Sequence, residues 1–311
     1  MTTQIVVTEF MDAEALGQFG ADVSVNYAPE LVDDRAAMLA AIRGVSAVIV
    51  RNRTQVDATF LEAAPQLKVV GRLGVGLDNI DLGACAERGI KVCPATGANT
   101  RSVAEYVIGA AMLLTRGAFQ SSEEMLAGQW PRATLGSGHE VTGRHLGLVG
   151  LGEIAREVAQ LAQALGLHVS ACDPHVATDD PVWDKITRCS LKGLLETSDV
   201  LSLHIPLTPD TNGMIDADAI ERMKSGAILI NTARGGIVEE DAVVAALRSG
   251  HLGGAALDVF AQEPLSIAHA EKFAGAPNLV LTPHIAGVTD QANTRVSHVT
   301  VQNVIRALAL D

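Results

Sequence analysis

Residues 145–173 read HLGLVGLGEIAREVAQLAQALGLHVSACD and carry the pattern strand, glycine turn, helix, strand. His145 to Val149 reads as a buried strand. Gly150-Leu151-Gly152-Glu153-Ile154-Ala155 reads as a turn that opens an amphipathic helix ending near Leu165, and His168 to Cys172 as a second strand closed by Asp173. In this GxGxxA order Gly150 permits a tight turn and Gly152 lets backbone amides approach a pyrophosphate at the helix N-terminus. Small Ala155 lets helix and strand pack closely. Asp173, 18 positions after Ala155, suits the hydroxyls of an adenosine ribose and repels a 2'-phosphate, so NAD is favoured over NADP.

Further strands follow at Val200 to Leu203, Ala227 to Asn231, Gly254 to Leu257 and Leu279 to Leu281, which makes six for a complete dinucleotide-binding sheet. Upstream, Ile5 to Val7, Val23 to Tyr27, Ala47 to Val50 and Leu67 to Val70 read as strands. Ala13 to Phe19, Asp33 to Arg43 and Asp57 to Ala64 between them read as helices. Alternating strands and helices imply parallel sheets covered on both faces. Pro94 and Gly97 punctuate the chain before a long Ala-rich helix, expected from about Thr100 to Ala127. The final helical pattern, Asp290 to Leu310, lies beyond the second sheet and could return to the first. The expected class is therefore α/β with two doubly wound parallel-sheet domains. A Rossmann cofactor domain, residues 99–288, is inserted in a flavodoxin-like substrate domain, residues 1–98 and 289–311.

Composition bounds the function. The 311 residues carry 23 basic and 36 acidic side chains, a net charge of -13, which repels nucleic acid and anionic membrane surfaces. Any anionic ligand must then be held by a local cluster of arginines. Hydrophobic residues make up 48% and aromatics 3%, as expected for a core of Ala, Val, Leu and Ile. Cys85, Cys93, Cys172 and Cys189 form no CxxC pair and no metal-ligand spacing, so reduced thiols, no metal and a cytoplasmic address are expected. The N-terminus lacks a basic region like that of a secretory signal, and no apolar run reaches the ~18 residues of a membrane span.

Three further segments stand at or after strand ends: Asn231-Thr232-Ala233-Arg234-Gly235-Gly236, Leu257-Asp258-Val259-Phe260-Ala261-Gln262-Glu263-Pro264 and Pro283-His284-Ile285-Ala286-Gly287. They bring an Arg, a Glu and a His to the rim where an open α/β sheet binds its ligand. With these segments and Gly71-Arg72-Leu73-Gly74-Val75-Gly76-Leu77-Asp78-Asn79-Ile80-Asp81, the chain resembles the D-isomer-specific 2-hydroxyacid dehydrogenases over nearly its whole length. The phosphoglycerate dehydrogenase branch is the most similar.

The resemblance implies that Arg234 binds the substrate carboxylate by two parallel hydrogen bonds. His284 would be the acid/base that takes the hydroxyl proton, and Glu263 would hold the ring's tautomer and favour its charged form. NAD would lie against Val75, the turn Gly150, Gly152, Glu153 and Ile154, Asp173, and His204, Ile205 and Pro206. Thr232, Ala233, Arg234, Asp258, His284 and Gly287 would complete its surroundings, with Asp258 at the nicotinamide or its ribose. Formate dehydrogenases of the same superfamily have Gln where Glu263 stands, which argues against formate. A regulatory extension found in many phosphoglycerate dehydrogenases has no counterpart here, so serine feedback is not expected. A homodimer is what the family implies. NAD-sensing corepressors of the same fold are the alternative of a different class.

On the substrate side, the loops Arg51-Asn52-Arg53-Thr54 and Gly71 to Leu77 follow strands and are expected at the cleft. The family match puts the backbone of Arg72, Leu73, Gly74, Val75 and Gly76 on the substrate carboxylate, with Asn99 as a further contact. Arg51, Arg53, Arg72 and Arg132 exceed what lactate needs and suit a second anionic group. More narrowly, residues 50–56, 71–81 and 98–106 resemble those of sulfolactate dehydrogenases. The expected substrate is thus a small anionic 2-hydroxy or 2-oxo acid: (S)-3-sulfolactate oxidised to 3-sulfopyruvate, with 3-phosphoglycerate and hydroxypyruvate or glyoxylate as alternatives.

Overall fold

A computed structural model describes residues 3–309 and divides into two compact units, Met1–Asn99 with Val288–Asp311, and Thr100–Gly287. In the first unit, β1 (Thr3–Val7), β2 (Val23–Tyr27), β3 (Ala47–Val50), β4 (Val69–Arg72) and β5 (Lys91–Pro94) form a parallel sheet in the order β2-β1-β3-β4-β5. This is the flavodoxin-like order, and its loops after β1, β3 and β4 leave the carboxyl ends of the strands, where such sheets bind ligands. All four residues of β3, Ala-Val-Ile-Val, are buried because both faces of the sheet are covered, so no period-two alternation appears. Helices α1 (Arg35–Ala41), α2 (Ala58–Ala63) and α3 (Leu82–Glu87) begin after Asp34, Asp57 and Asp81. Each of these carboxylates accepts a hydrogen bond from the backbone N–H three residues on.

The second unit opens with α4 (Thr100–Arg116) and the short helices α5 (Ser122–Leu126) and α6 (Arg132–Leu135). Strands β6 (His145–Val149), β7 (His168–Cys172), β8 (Thr187–Arg188), β9 (Val200–Leu203), β10 (Ala227–Asn231), β11 (Leu252–Leu257) and β12 (Leu279–Leu281) lie parallel in the order β12-β11-β10-β9-β6-β7-β8. Counted from β6, that is the dinucleotide-binding order 3-2-1-4-5-6 with one more strand beyond it. Its connecting helices are α7 (Glu153–Ala164), α8 (Leu191–Thr197), α9 (Ala217–Glu221), α10 (Glu240–Ser249) and α11 (Ile267–Ala270). The chain then returns to the first unit as α12 (Asp290–Leu308), packed on β4 and β5. The expected end of this helix at Leu310 lies outside the described residues. A Cβ on Gly71 would lie 2.6 Å from Val304 Cγ2, so the glycine is what admits α12 to the sheet.

Four local readings are corrected. The Ala-rich helix does not run from Thr100 to Ala127: it stops at Arg116, because Gly117 takes a left-handed backbone (φ 68°), and resumes as α5. Residues Ala13–Gln18 wind as a 3-10 helix rather than an α-helix. Strand β5 went unread because its four residues are exposed or half-buried, and β8 because it has only two residues. Among the described residues no helix is long and apolar enough to cross a membrane.

Candidate active site

The nucleotide-binding turn is shaped by close approach. Gly150 has φ 89°, and a Cβ there would meet the His204 carbonyl oxygen at 2.5 Å and Ile205 Cγ2 at 2.8 Å. Gly152 caps α7 with no side-chain hydrogen bond, and a Cβ on it would meet nothing within 4 Å. Open space thus lies at the N-terminus of a 12-residue helix, where backbone N–H groups and the helix dipole favour a pyrophosphate. Asp173 accepts from the N–H groups of Leu151 and His175, both at 2.8 Å, which ties the acid to the turn and leaves lone pairs for ribose hydroxyls. Glu153 and Ile154 form the first turn of α7, Pro206 is exposed after β9, and Thr232, after β10, buries a hydroxyl oxygen with no partner. The unpartnered Thr232 hydroxyl and the open glycine turn at the start of α7 fit NAD. His204 bonds Ser202 Oγ through Nε2 at 2.9 Å, and burial pushes its ring down to about 4, so it stays neutral.

His284 and Glu263 meet directly: His284 Nδ1 lies 2.7 Å from Glu263 Oε2, with the two side chains 42% and 34% exposed. Glu263 Oε1 accepts from the Phe260 N–H at 2.9 Å, which fixes the carboxylate in its own loop. That loop is held from behind by buried Glu240, whose Oε1 accepts from the Ala261 N–H at 2.7 Å while Oε2 takes Lys272 at 3.1 Å. His284 has φ 56°, a left-handed backbone that costs about 1–3 kcal/mol and persists only where the surroundings over-determine it. Asp258, 1% exposed, supplies that constraint. Its carbonyl accepts from the His284 N–H, its Oδ1 from the Ile285 N–H and the Thr282 hydroxyl, and its Oδ2 from the Ala286 N–H. Of the lone pairs on the Asp258 carboxylate, one on Oδ2 is left for a further donor.

Arg234 sits on a turn built by Asn231, which is fully buried. Asn231 Nδ2 donates to the Arg234 carbonyl at 2.8 Å, and its Oδ1 accepts from the Ala233 N–H at 3.0 Å. Next to it, a Cβ on Gly235 would fall 1.9 Å from the Phe260 carbonyl carbon, so this turn lies directly on the loop that carries Glu263. Gly287 is half-buried just past the His284 loop.

The first unit presents a second constellation. Glu9, 4% exposed, accepts from the backbone N–H groups of Arg51 (2.7 Å), Arg53 (3.1 Å) and Thr54 (3.0 Å), while Asn79 Nδ2 donates to the carbonyls of Arg51 and Thr54. With the backbone so occupied, the loop offers its side chains. The Arg51 guanidinium meets Asn293 Oδ1 at 2.9 Å, and burial lowers its pKa against the raising effect of Glu9. Arg53 instead points to Asp33 at 2.5 Å and is 60% exposed. Arg72 Nη1 donates to the Leu73 carbonyl and lies where a Cβ on Gly74 (φ 135°) would be. Val75 is exposed, Gly76 is half-buried and Asn99 buries an Oδ1 with no partner. Arg132, in the second unit, is exposed on α6. Glu9 and Glu240 escape a motif search, and the turn-building role of Asn231 is not visible in the segment it opens; a polar residue at or just past the end of an apolar strand, as at Asn231 and Glu9, is the one signal the sequence offers.

Residues 108–286 match the family described as D-isomer specific 2-hydroxyacid dehydrogenase, NAD binding domain. The chain is 52% identical over 309 residues to an (S)-sulfolactate dehydrogenase of Chromohalobacter salexigens, covering 99% of both proteins. It is 38% identical over 307 residues to a D-3-phosphoglycerate dehydrogenase of Mycobacterium leprae, covering 98% of this chain but spanning only 57% of that relative. Its structure is similar to that of the TT0316 protein of Thermus thermophilus, with a TM-score of 0.88 and 34% identity over 99% of this chain and 97% of that one. The family match over residues 108–286 and the likeness to these relatives along the whole chain converge on one assignment: the chain belongs to the D-isomer specific 2-hydroxyacid dehydrogenases and is an NAD-dependent oxidoreductase acting on the CH–OH group of a 2-hydroxy acid.

Proposed function

We propose that the chain oxidises a D-configured 2-hydroxy acid bearing a second anion on C3, (S)-sulfolactate to sulfopyruvate, and carries out the reverse reduction. The observation that carries this reading is the 52% identity, along 99% of both proteins, to a sulfolactate dehydrogenase. The Arg51 loop supports it, since a partly desolvated guanidinium held in place is well suited to a sulfonate.

Arg234 pairs with the substrate carboxylate as a planar fork and so fixes the C2 hydroxyl. Glu263 accepts from the Nδ1–H of His284, which leaves the Nε2 lone pair free to take the hydroxyl proton as C=O forms. NAD, held by the turn at Gly150–Ile154 and Asp173, would supply the acceptor for the hydride that leaves C2. In the reverse direction the proton on Nε2 returns to the carbonyl oxygen. In the same reading the backbone of residues 72–76 and Asn99, all in the first unit, are assigned to substrate. A homodimer belongs to the same reading, supported by Phe119, Leu126 and Trp130, which are 66%, 89% and 74% exposed. So does a cytoplasmic location, supported by four free thiols.

A panel of (S)-sulfolactate, D-3-phosphoglycerate, D-glycerate and D-lactate compared by kcat/KM with NAD tests this. Sulfolactate is expected first and phosphoglycerate second. A lead for D-lactate or D-glycerate contradicts the second-anion reading.

A further inference from the structure

We infer that Thr282 and Tyr106 are positioning residues for His284: their chain of hydroxyls, ending on Asp258, holds the left-handed turn that aims the imidazole. The inference rests on His284 being the acid/base. It starts from the strained backbone at φ 56°, which needs an external constraint to persist.

Asp258 gives that constraint through the N–H groups of His284, Ile285 and Ala286, all at 2.8 Å. Two of the three end on its carboxylate, so they hold only while the carboxylate keeps one rotation about its side chain. Thr282 fixes that rotation by donating its hydroxyl to Asp258 Oδ1 at 2.6 Å. A carboxylate only accepts, so the single hydroxyl hydrogen of Thr282 is committed there, and Tyr106 must be the donor in the 2.6 Å contact between Tyr106 Oη and Thr282 Oγ1. Burial raises the Tyr106 phenol further, which keeps it protonated and able to donate.

Tyr106 belongs to α4, far from the His284 loop in sequence, so the brace ties that loop to a helix outside it. Ionisable neighbours hydrogen-bonded to this loop are Glu263, on the ring itself, and Asp258, with Tyr106 one step beyond. Removing the Thr282 hydroxyl frees the Asp258 carboxylate to turn, releases two N–H groups and lets residue 284 relax toward an ordinary backbone, carrying Nε2 away from the substrate hydroxyl.

The test compares Thr282→Val, Thr282→Ser and Tyr106→Phe with wild type for kcat, KM and NADH affinity by fluorescence. Thr282→Val, nearly isosteric, should lose ~10- to 100-fold in kcat, the scale of a misplaced catalytic group, with KM and NADH affinity within about twofold. Thr282→Ser should restore kcat to within about threefold, and Tyr106→Phe should lose roughly 3- to 10-fold. Wild-type kcat in Thr282→Val overturns the brace, as does a loss that serine does not restore and that comes with weakened NADH binding. His284→Ala serves as reference: if that variant turns over normally, the acid/base reading falls and the brace with it. A dead His284→Ala beside a fully active Thr282→Val overturns the brace alone.

Discussion

Asp173, Glu9, Glu240 and Asp258 share one task at the level of single residues. Each accepts one or more backbone N–H groups of a loop that follows a strand, and a charged acceptor makes these bonds stronger than neutral ones. For Asp173 the consequence is doubled, because the same carboxylate would meet the ribose. Asp173→Ala should weaken NAD binding by ~1.5–3 kcal/mol, the worth of a charged hydrogen bond, and narrow the NAD-over-NADP ratio of kcat/KM. Equal use of both cofactors by the wild type would contradict this. The arginines of the 51–54 loop separate in the same way. Arg51→Ala should cost ~1.5–3 kcal/mol in kcat/KM for sulfolactate and little for D-lactate. Arg53→Ala should cost less than about 1 kcal/mol, since its exposed pair with Asp33 already leaves it in water. Equal losses in both variants, or equal losses for both substrates, would remove Arg51 from the second-anion role.

The elements show where the sequence could be read and where it could not. The turn at 150–155 and the polar ends of β10, β11 and β12 were legible because their signals are local: a glycine spacing, or an Arg, Glu or His just past an apolar run. Gly117 looked like one more small residue in an Ala-rich helix, and only its left-handed backbone shows that the helix ends there. Glu9 was silent because its partners lie more than 40 positions away, and the partner of Arg51 on α12 is further still. Thr282 and Tyr106 form a contact across 176 positions, which no periodicity encodes. Gly235 carries a testable consequence at this scale, since it lets the turn after β10 lie on the loop after β11. Gly235→Ala puts a Cβ into the Phe260 backbone, which cannot rotate aside, and should lower stability by ~1–3 kcal/mol or more in urea unfolding and depress kcat/KM together. An unaltered unfolding midpoint would show that these two loops do not depend on each other.

At the scale of the whole molecule, a chain of net charge -13 takes an anionic substrate against its own field. The cations that the proposed reading sets against it, Arg51 and Arg234, each stand just after the carboxyl end of a parallel strand. Two sheets of the kind that place loops together at those ends, one flavodoxin-like and one dinucleotide-binding, are what this chemistry needs from a scaffold. Turnover by the proposed mechanism hinges on His284 moving the proton, with Glu263 2.7 Å from its ring. The direct measurement is substrate-dependent reduction of NAD by wild type and His284→Ala, at equal NAD occupancy and with folding checked by urea unfolding. With His284 as the acid/base, kcat should fall ~10²- to 10⁴-fold while NAD affinity is retained. Turnover at the wild-type rate in the His284→Ala protein would contradict it.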